Sequence, residues 1–209
     1  MYDIDLFDNS AQVVASLHAR GRHVVCYLDA GTWENWRPDA SKFPNSVLGK
    51  PNGWPGERWL DIRRLKVLEP IMLARFRQCA RKRFDGVEAD NVDGYANDTG
   101  FALKAGDQLR YDKWLAATAH GLGLSIALKN DLGQERQLEP DFDYALDEQC
   151  FQYTECSLLH PFVAAGKAVF EVEYQLQPRS FCARANRDGF MAMRKHLDLD
   201  AWREACWGP

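Results

Sequence analysis

The chain has 209 residues, 46% of them hydrophobic and 27% charged, and carries a net charge of −4. That length and balance fit one globular domain with a sizeable core, and the acidic excess argues against a nucleic-acid partner, which would call for a basic face to displace phosphate counterions. No apolar run approaches the roughly 20 residues of a membrane span, and the opening MYDIDLFDNS has neither the basic nor the apolar part of a signal peptide.

Short β-rich apolar runs alternate with longer helical stretches. A strand over residues 2–7 leads into a helix over 10–20, where Val13, Val14, Leu17 and His18 recur at helical spacing, and a strand follows over 23–30. Residues 31–65 then show little periodicity and hold four tryptophans and four prolines. A loop of that length in a compact domain is either functional or disordered, and four tryptophans argue against disorder.

Helix and strand pairs come next: 68–83 with 84–90, 107–121 with 124–129, a short 134–139 with 144–150, and 158–166 with 168–174. A weaker strand at 190–195 and a helix at 198–206 complete the chain. This alternation predicts parallel strands joined by right-handed helical crossovers, in a doubly wound sheet or a barrel. The junctions LFDNSAQ and LDAGTWENW lack the glycine-rich phosphate turn of dinucleotide folds, which favours the barrel. The expected architecture is therefore α/β, a TIM-type (β/α)8 barrel over residues 1–209 as a single domain. Seven strands are found where such a barrel has eight, so its first strand is expected to be lacking or replaced.

In βα folds the reacting groups sit at the C-terminal ends of the strands. Those ends collect Asp29 in CYLDAG, Glu88, Asp90 and Asp93 in GVEADNVDGY, Lys129 and Asp131 in ALKND, Asp147 and Glu148 in LDEQC, and Glu171, Glu173 and Tyr174 in FEVEY. An aspartate after a strand often caps the next helix, a reading at least as good for Asp93, Asp131 and Asp147. Glu88 and Glu171 each lie two residues before another acid, on the same strand face but deeper. Asp90 and Glu148 stand at strand ends, each followed by a polar residue suited to a wet cleft, and are the expected catalytic pair.

The histidines form neither H-x-H nor H-E-x-x-H, and no G-x-S-x-G occurs, so zinc and a serine nucleophile lose support. No metal and no cofactor are expected, although a carboxylate-held Mg²⁺ or Ca²⁺ site stays open. Two carboxylates without a metal are what glycoside cleavage needs, one ionised and one protonated. Lys129 is the candidate cation for holding the first ionised, and tryptophans such as Trp33 and Trp54 offer faces on which sugar rings stack.

Six cysteines permit three bridges. Cys182–Cys206 and Cys150–Cys156 are the expected pairs, against the alternative of six reduced thiols, with the cell compartment deciding between them.

Taken in order, CYLDAGTWENWRPD, WPGERWLDIR, FDGVEADNVDGY, LSIALKND, DEQCFQYTEC and AVFEVEY resemble glycoside hydrolase family 114, the endo-α-1,4-polygalactosaminidases. The resemblance implies a TIM-type barrel that hydrolyses α-1,4-linked galactosamine polymers of microbial exopolysaccharide, exported to the extracellular or periplasmic space. It puts the catalytic aspartate on Asp90 and the catalytic glutamate on Glu148. By analogy with α-specific barrel glycosidases, Asp90 is the nucleophile and Glu148 the acid/base, with Asp29, Lys129, Asp131, Glu173 and Tyr174 as subsite residues. A carboxyl separation of about 5–5.5 Å goes with retention and roughly 6.5–9.5 Å with inversion.

The chain departs from the family pattern in beginning at the second family strand and in having Ala89 where a proline is usual. A galactosamine polymer is the expected partner, since an acidic cleft attracts an ammonium sugar. The competing readings are a non-catalytic carbohydrate-binding barrel and a metal-dependent hydrolase.

Overall fold

A computed structural model describes residues 1–206 of the chain. The chain divides into two compact units, Met1–Ala127 and the remainder from Leu128.

In the first unit, strands β1 (Tyr2–Asp5), β2 (Val24–Asp29), β6 (Gly86–Asp90) and the start of β7 (Ser125–Lys129) pair side by side, all parallel. Helices α1 (Ala11–His18), α2 (Leu65–Lys82) and α3 (Ala105–Gly121) supply the crossovers. Residues 31–65 are not irregular throughout: β3 (Thr32–Glu34), β4 (Leu48–Pro51) and β5 (Glu57–Leu60) form an antiparallel sheet in the order β3-β5-β4.

The pleat divides the side chains of β2 between two environments. Val24, Cys26 and Leu28 are buried, and Cys26 bonds to Cys79 of α2, so this face meets the helices. Tyr27 and Asp29 therefore lie on the other face. In β6, Val87 and Ala89 are buried beside Cys26 and Leu28 in register, which leaves Glu88 opposite Tyr27 and Asp90 opposite Asp29. Phe76, Leu68, Met72 and Leu115 complete the helix-side core, each fully buried and each stabilising the unit by roughly 1.5–3 kcal/mol.

In the second unit, the N–H of Asn130 donates to the carbonyl of Leu146 at 3.0 Å, which lays the end of β7 beside β8 (Tyr144–Glu148). Strands β9 (Val169–Glu173) and β10 (Met191–Arg194) follow in parallel. Helices α4 (Glu135–Leu138), α5 (Cys150–Tyr153), α6 (His160–Ala164) and α7 (Pro178–Asp188) connect them. The seven expected strands are all present, and the mixed α/β class holds.

One expectation fails at the C-terminal end, and one helix there was not foreseen. The helix expected over 198–206 is absent; β11 (Glu204–Ala205) runs antiparallel to β10 instead, tied by Cys182–Cys206. The helix lies earlier, as α7, whose sequence PRSFCARANRD buries only Phe181 and Ala185. Three disulfides occur among the described residues: the two expected pairs, Cys182–Cys206 and Cys150–Cys156, and Cys26–Cys79. No helix among those residues is long and apolar enough to cross a membrane.

Candidate active site

The first unit brings Asp29 and Asp90 together at the ends of neighbouring strands. Asp90 Oδ2 accepts from the Tyr27 hydroxyl at 3.0 Å, and Oδ1 accepts from the N–H of Asn91 at 2.9 Å. The Asn91 amide donates to Asp29 Oδ2 at 2.7 Å, and the Thr32 hydroxyl also engages that oxygen. Thr32 Oγ1 in turn lies 3.2 Å from Glu57 Oε2. A continuous polar path thus runs from Asp90 through Asn91, Asp29 and Thr32 to Glu57 on β5.

Backbone contacts hold the end of β2 in place. Buried Arg75 donates to the Asp29 carbonyl at 2.7 Å while forking onto Asp39, and the Tyr111 hydroxyl donates to the Ala30 carbonyl at 2.8 Å. The N–H groups of Ala30 and Gly31 both donate to the Asp90 carbonyl. Gly31 approaches so closely that a Cβ there would stand 1.7 Å from the Asn91 carbonyl oxygen. Only glycine fits this contact.

The electrostatics of this set are one-sided. Burial pushes the Asp29 carboxyl well above the usual carboxylate range, and the charges of Asp90 and Glu34 add to it. Burial also raises Glu57, with Glu34 and Asp90 contributing repulsion. Glu34 itself is paired with Arg37, which reaches Asp5 as well. Removing carboxylates from water and setting them side by side disfavours their charged forms, and a cation placed among them relieves both costs.

In the second unit, Glu148 ends β8. Tyr174 donates its hydroxyl to Glu148 Oε1, and Lys129 Nζ lies 3.2 Å from Oε2. The N–H of Glu148 donates to Asn130 Oδ1 at 3.0 Å. Asp147, one residue earlier, points to the opposite face and pairs in register with Glu171. Glu173, on that same face, accepts the N–H groups of Phe151 and Gln152 at the start of α5. Glu173 therefore serves a helix end and is fully buried. Burial and neighbouring acids push Asp147 up to about 8 and Glu171 up to about 10.

The residues directly after three of these strands share a backbone conformation. Asn91, Asn130 and Gln149 have φ of 60°, 50° and 69°, and Asp131 follows at 44°. Left-handed φ is costly for residues other than glycine, least so for asparagine, and recurs where a side chain must be aimed.

The other predicted site residues are placed as follows. Asp131 is buried, and its carbonyl accepts from the N–H of Gln134. Asp93 is half-buried, and its carbonyl accepts from the Ala96 N–H and the Asn97 amide. The Trp33 indole donates to the Ala40 carbonyl at 3.0 Å, whereas Trp54 is 54% exposed. The sequence reading missed Tyr27, Thr32, Glu57 and Asn91. Glu57 sat in plain view in WPGERW, but only the pairing of Thr32 with Trp59 across β3 and β5 brings its strand to Asp29. One cluster among the described residues has ligand atoms spaced for an ion, within 4.8 Å of one another: the exposed His196, Asp198 and Asp200, none of them a candidate acid.

The sequence pattern of glycoside-hydrolase family GH114 matches residues 1–209. The crystal structure of Aspergillus fumigatus Ega3 in complex with galactosamine superposes with a TM-score of 0.93 at 39% identity, covering 98% of this chain and 87% of that one. The glycoside hydrolase domain of PelA from Pseudomonas aeruginosa gives a TM-score of 0.74 at 13% identity, over 97% and 89% of the two chains. The second likeness is one of fold alone, and the fold is TIM-barrel-like. An uncharacterized protein of Deinococcus radiodurans is 25% identical over 228 residues, 94% of this chain and 73% of that protein. A parallel βα framework with carboxylates at its strand ends and a family pattern that spans the whole sequence lead to one assignment: the chain belongs to glycoside hydrolase family GH114.

Proposed function

We propose that this glycoside hydrolase cleaves internal linkages of α-1,4-linked galactosamine polymers, with Asp90 and Glu148 as its two catalytic carboxylates and residues 1–209 working as a single domain. The observation that carries the substrate reading is the match to Ega3, a structure that holds galactosamine, at 39% identity over nearly the whole chain. The acidic set around Asp90 supports it, because the deacetylated sugar carries an ammonium group.

In this reading the Asp90 carboxylate attacks the anomeric carbon and forms a glycosyl ester. The glycosidic C–O bond breaks, and the leaving oxygen takes the proton of Glu148. Glu148 then removes a proton from water, whose oxygen attacks the same carbon and frees Asp90. Tyr27 and the Asn91 N–H fix the nucleophile. Tyr174 and Lys129 fix the carboxyl group that moves the proton. Asp29 and Asp131 are proposed as subsite acids, with Asp93 at their margin. Glu173 acts at one remove, by holding the start of α5. Three disulfides favour an oxidising compartment, so we place the enzyme outside the cytosol.

The test is product analysis after incubation with partly deacetylated α-1,4-galactosamine oligomers. Shorter oligomers are expected from the unaltered protein, and none above background from Asp90→Asn or Glu148→Gln, the latter still binding polymer. Failure of the unaltered protein to cut any galactosamine oligomer would overturn the reading in favour of a binding module.

A further inference from the structure

We propose that Asn130 is a positioning residue for the hydrolysis, its amide oxygen replacing a rung of the strand ladder and so holding the backbone of Glu148 in place. The inference rests on the reading of Glu148 as the acid/base and adds to it a residue that acts through Glu148.

Asn130 is the first residue beyond β7. Its N–H donates to the Leu146 carbonyl at 3.0 Å, an ordinary rung between the tip of β7 and β8. Rungs of a parallel ladder are evenly spaced, so the next one would run from the Glu148 N–H to the Asn130 carbonyl. Asn130 Oδ1 accepts that N–H instead, at 3.0 Å. The side chain stands in for the main-chain oxygen because the backbone has already turned out of the strand, with φ of 50° at Asn130 and 44° at Asp131. Since the donor is a main-chain N–H, the amide can present only its oxygen.

This position makes two demands, a left-handed φ and an acceptor that reaches back to the neighbouring strand. Glycine meets the first and not the second, whereas asparagine and aspartate meet both. Asn91 after β6, at φ of 60°, uses the same conformation for a different bond, its amide donating to Asp29 Oδ2 at 2.7 Å.

Glu148 is thereby held at three points. Tyr174 engages Oε1, Lys129 Nζ lies 3.2 Å from Oε2, and Asn130 holds the main-chain nitrogen. The adjacent residues Lys129 and Asn130 grip the side chain and the backbone of the same acid. On the far side, the N–H of Gln149 donates to the Val172 carbonyl of β9 at 2.9 Å. Partners on the carboxyl group aim it only if the backbone beneath is fixed, and a 1 Å displacement of a reacting group can cost about a hundredfold in rate.

The test compares Asn130→Gly and Asn130→Asp in the intact protein, each at its own pH optimum, reading Tm and the kcat and KM for one α-1,4-galactosamine oligomer. Glycine relieves the left-handed turn but removes the acceptor. Its kcat is expected to fall about tenfold to a hundredfold with KM within about twofold, while Tm holds or rises. Aspartate keeps the acceptor and should retain kcat to within about threefold. A residue that only closed a turn would leave the glycine variant with full kcat. If the unaltered protein cleaves the oligomer and Asn130→Gly matches its kcat, or Asn130→Asp loses as much as Asn130→Gly, the role of Asn130 is refuted while the hydrolase reading stands. If the unaltered protein cleaves no oligomer, both fall.

Discussion

The ammonium of Lys129 lies 3.2 Å from Oε2 of Glu148, across the ends of two neighbouring strands. The sequence points to Lys129 as the cation that keeps an acid ionised; its partner within the second unit is Glu148, the acid proposed above to handle the proton. Lys129→Met should lower kcat by about tenfold to a hundredfold, since a misplaced general acid loses much of its 10²–10⁴ contribution. Tyr174→Phe should lose less. Steady-state kinetics on one oligomer compares the two, and an unchanged kcat in both would remove these residues from the proposed machinery.

Gly31 is the second point of leverage. Its α-carbon leaves no room for a side chain against the Asn91 carbonyl, so Gly31→Ala must push apart the segments that carry Asp29 and Asp90. We expect activity to fall by more than a hundredfold, far beyond what the accompanying drop in Tm explains. A variant with normal turnover would show that the position of Asp90 is not critical.

Asp147 and Glu171 set the pH dependence of stability. Unfolded, both titrate near pH 4; folded, burial holds them at about 8 and about 10. The native chain keeps protons that the unfolded chain releases, so their contribution is complete below about pH 4 and is lost as the pH rises to about 8 for Asp147 and about 10 for Glu171. Thermal melts should show Tm falling across that window. Asp147→Asn should flatten the slope and raise Tm by roughly 5 °C at pH 8, and identical profiles for the two proteins would contradict the assignment.

The disulfides should differ in worth. Cys26 and Cys79 are 53 residues apart, against 6 for Cys150 and Cys156. The loss of unfolded-chain entropy amounts to about 4 kcal/mol for the first and about 2 kcal/mol for the second. Replacing Cys26 and Cys79 together by alanine should therefore lower Tm about twice as far as replacing Cys150 and Cys156. The reverse order would show that the short bridge acts on the native state.

Substrate binding should weaken with salt. On the proposed reading, Glu57 and Asp90 attract an ammonium sugar through fields that ions screen, so KM for deacetylated polymer should rise several-fold between about 0.05 M and 0.5 M salt. Fully N-acetylated polymer should bind poorly at either concentration. Equal KM values throughout would deny the electrostatic role.

What was legible in the sequence followed from local pattern. The apolar runs ending in Asp29, Asp90, Lys129 and Glu148 marked strand ends because a parallel strand buried on its helix face announces itself over five or six residues. Glu57 was hidden because its strand is defined by partners some twenty-five residues away, Thr32 with Trp59 and Trp33 with Arg58. Cys26–Cys79 was hidden for the same reason. Helix α7 is polar over most of its length, with only Phe181 and Ala185 buried, so no apolar run announces it, although Pro178 at its start and Gly189 just beyond its end were usable signals. The stretch 198–206 reads as a helix in the sequence, yet the bridge to Cys182 and the pairing of Ala205 with Met193 decide it.

The left-handed turn after Glu148 has a practical corollary. Gln149 occupies a conformation that costs a non-glycine residue roughly 1–2 kcal/mol, and glycine would spare that expense. A search for heat-tolerant variants should therefore converge on Gln149, and after it on Asn130. On the proposed reading, hardiness gained there would come at the expense of catalytic aim, because a loosened hinge lets Glu148 wander from its target.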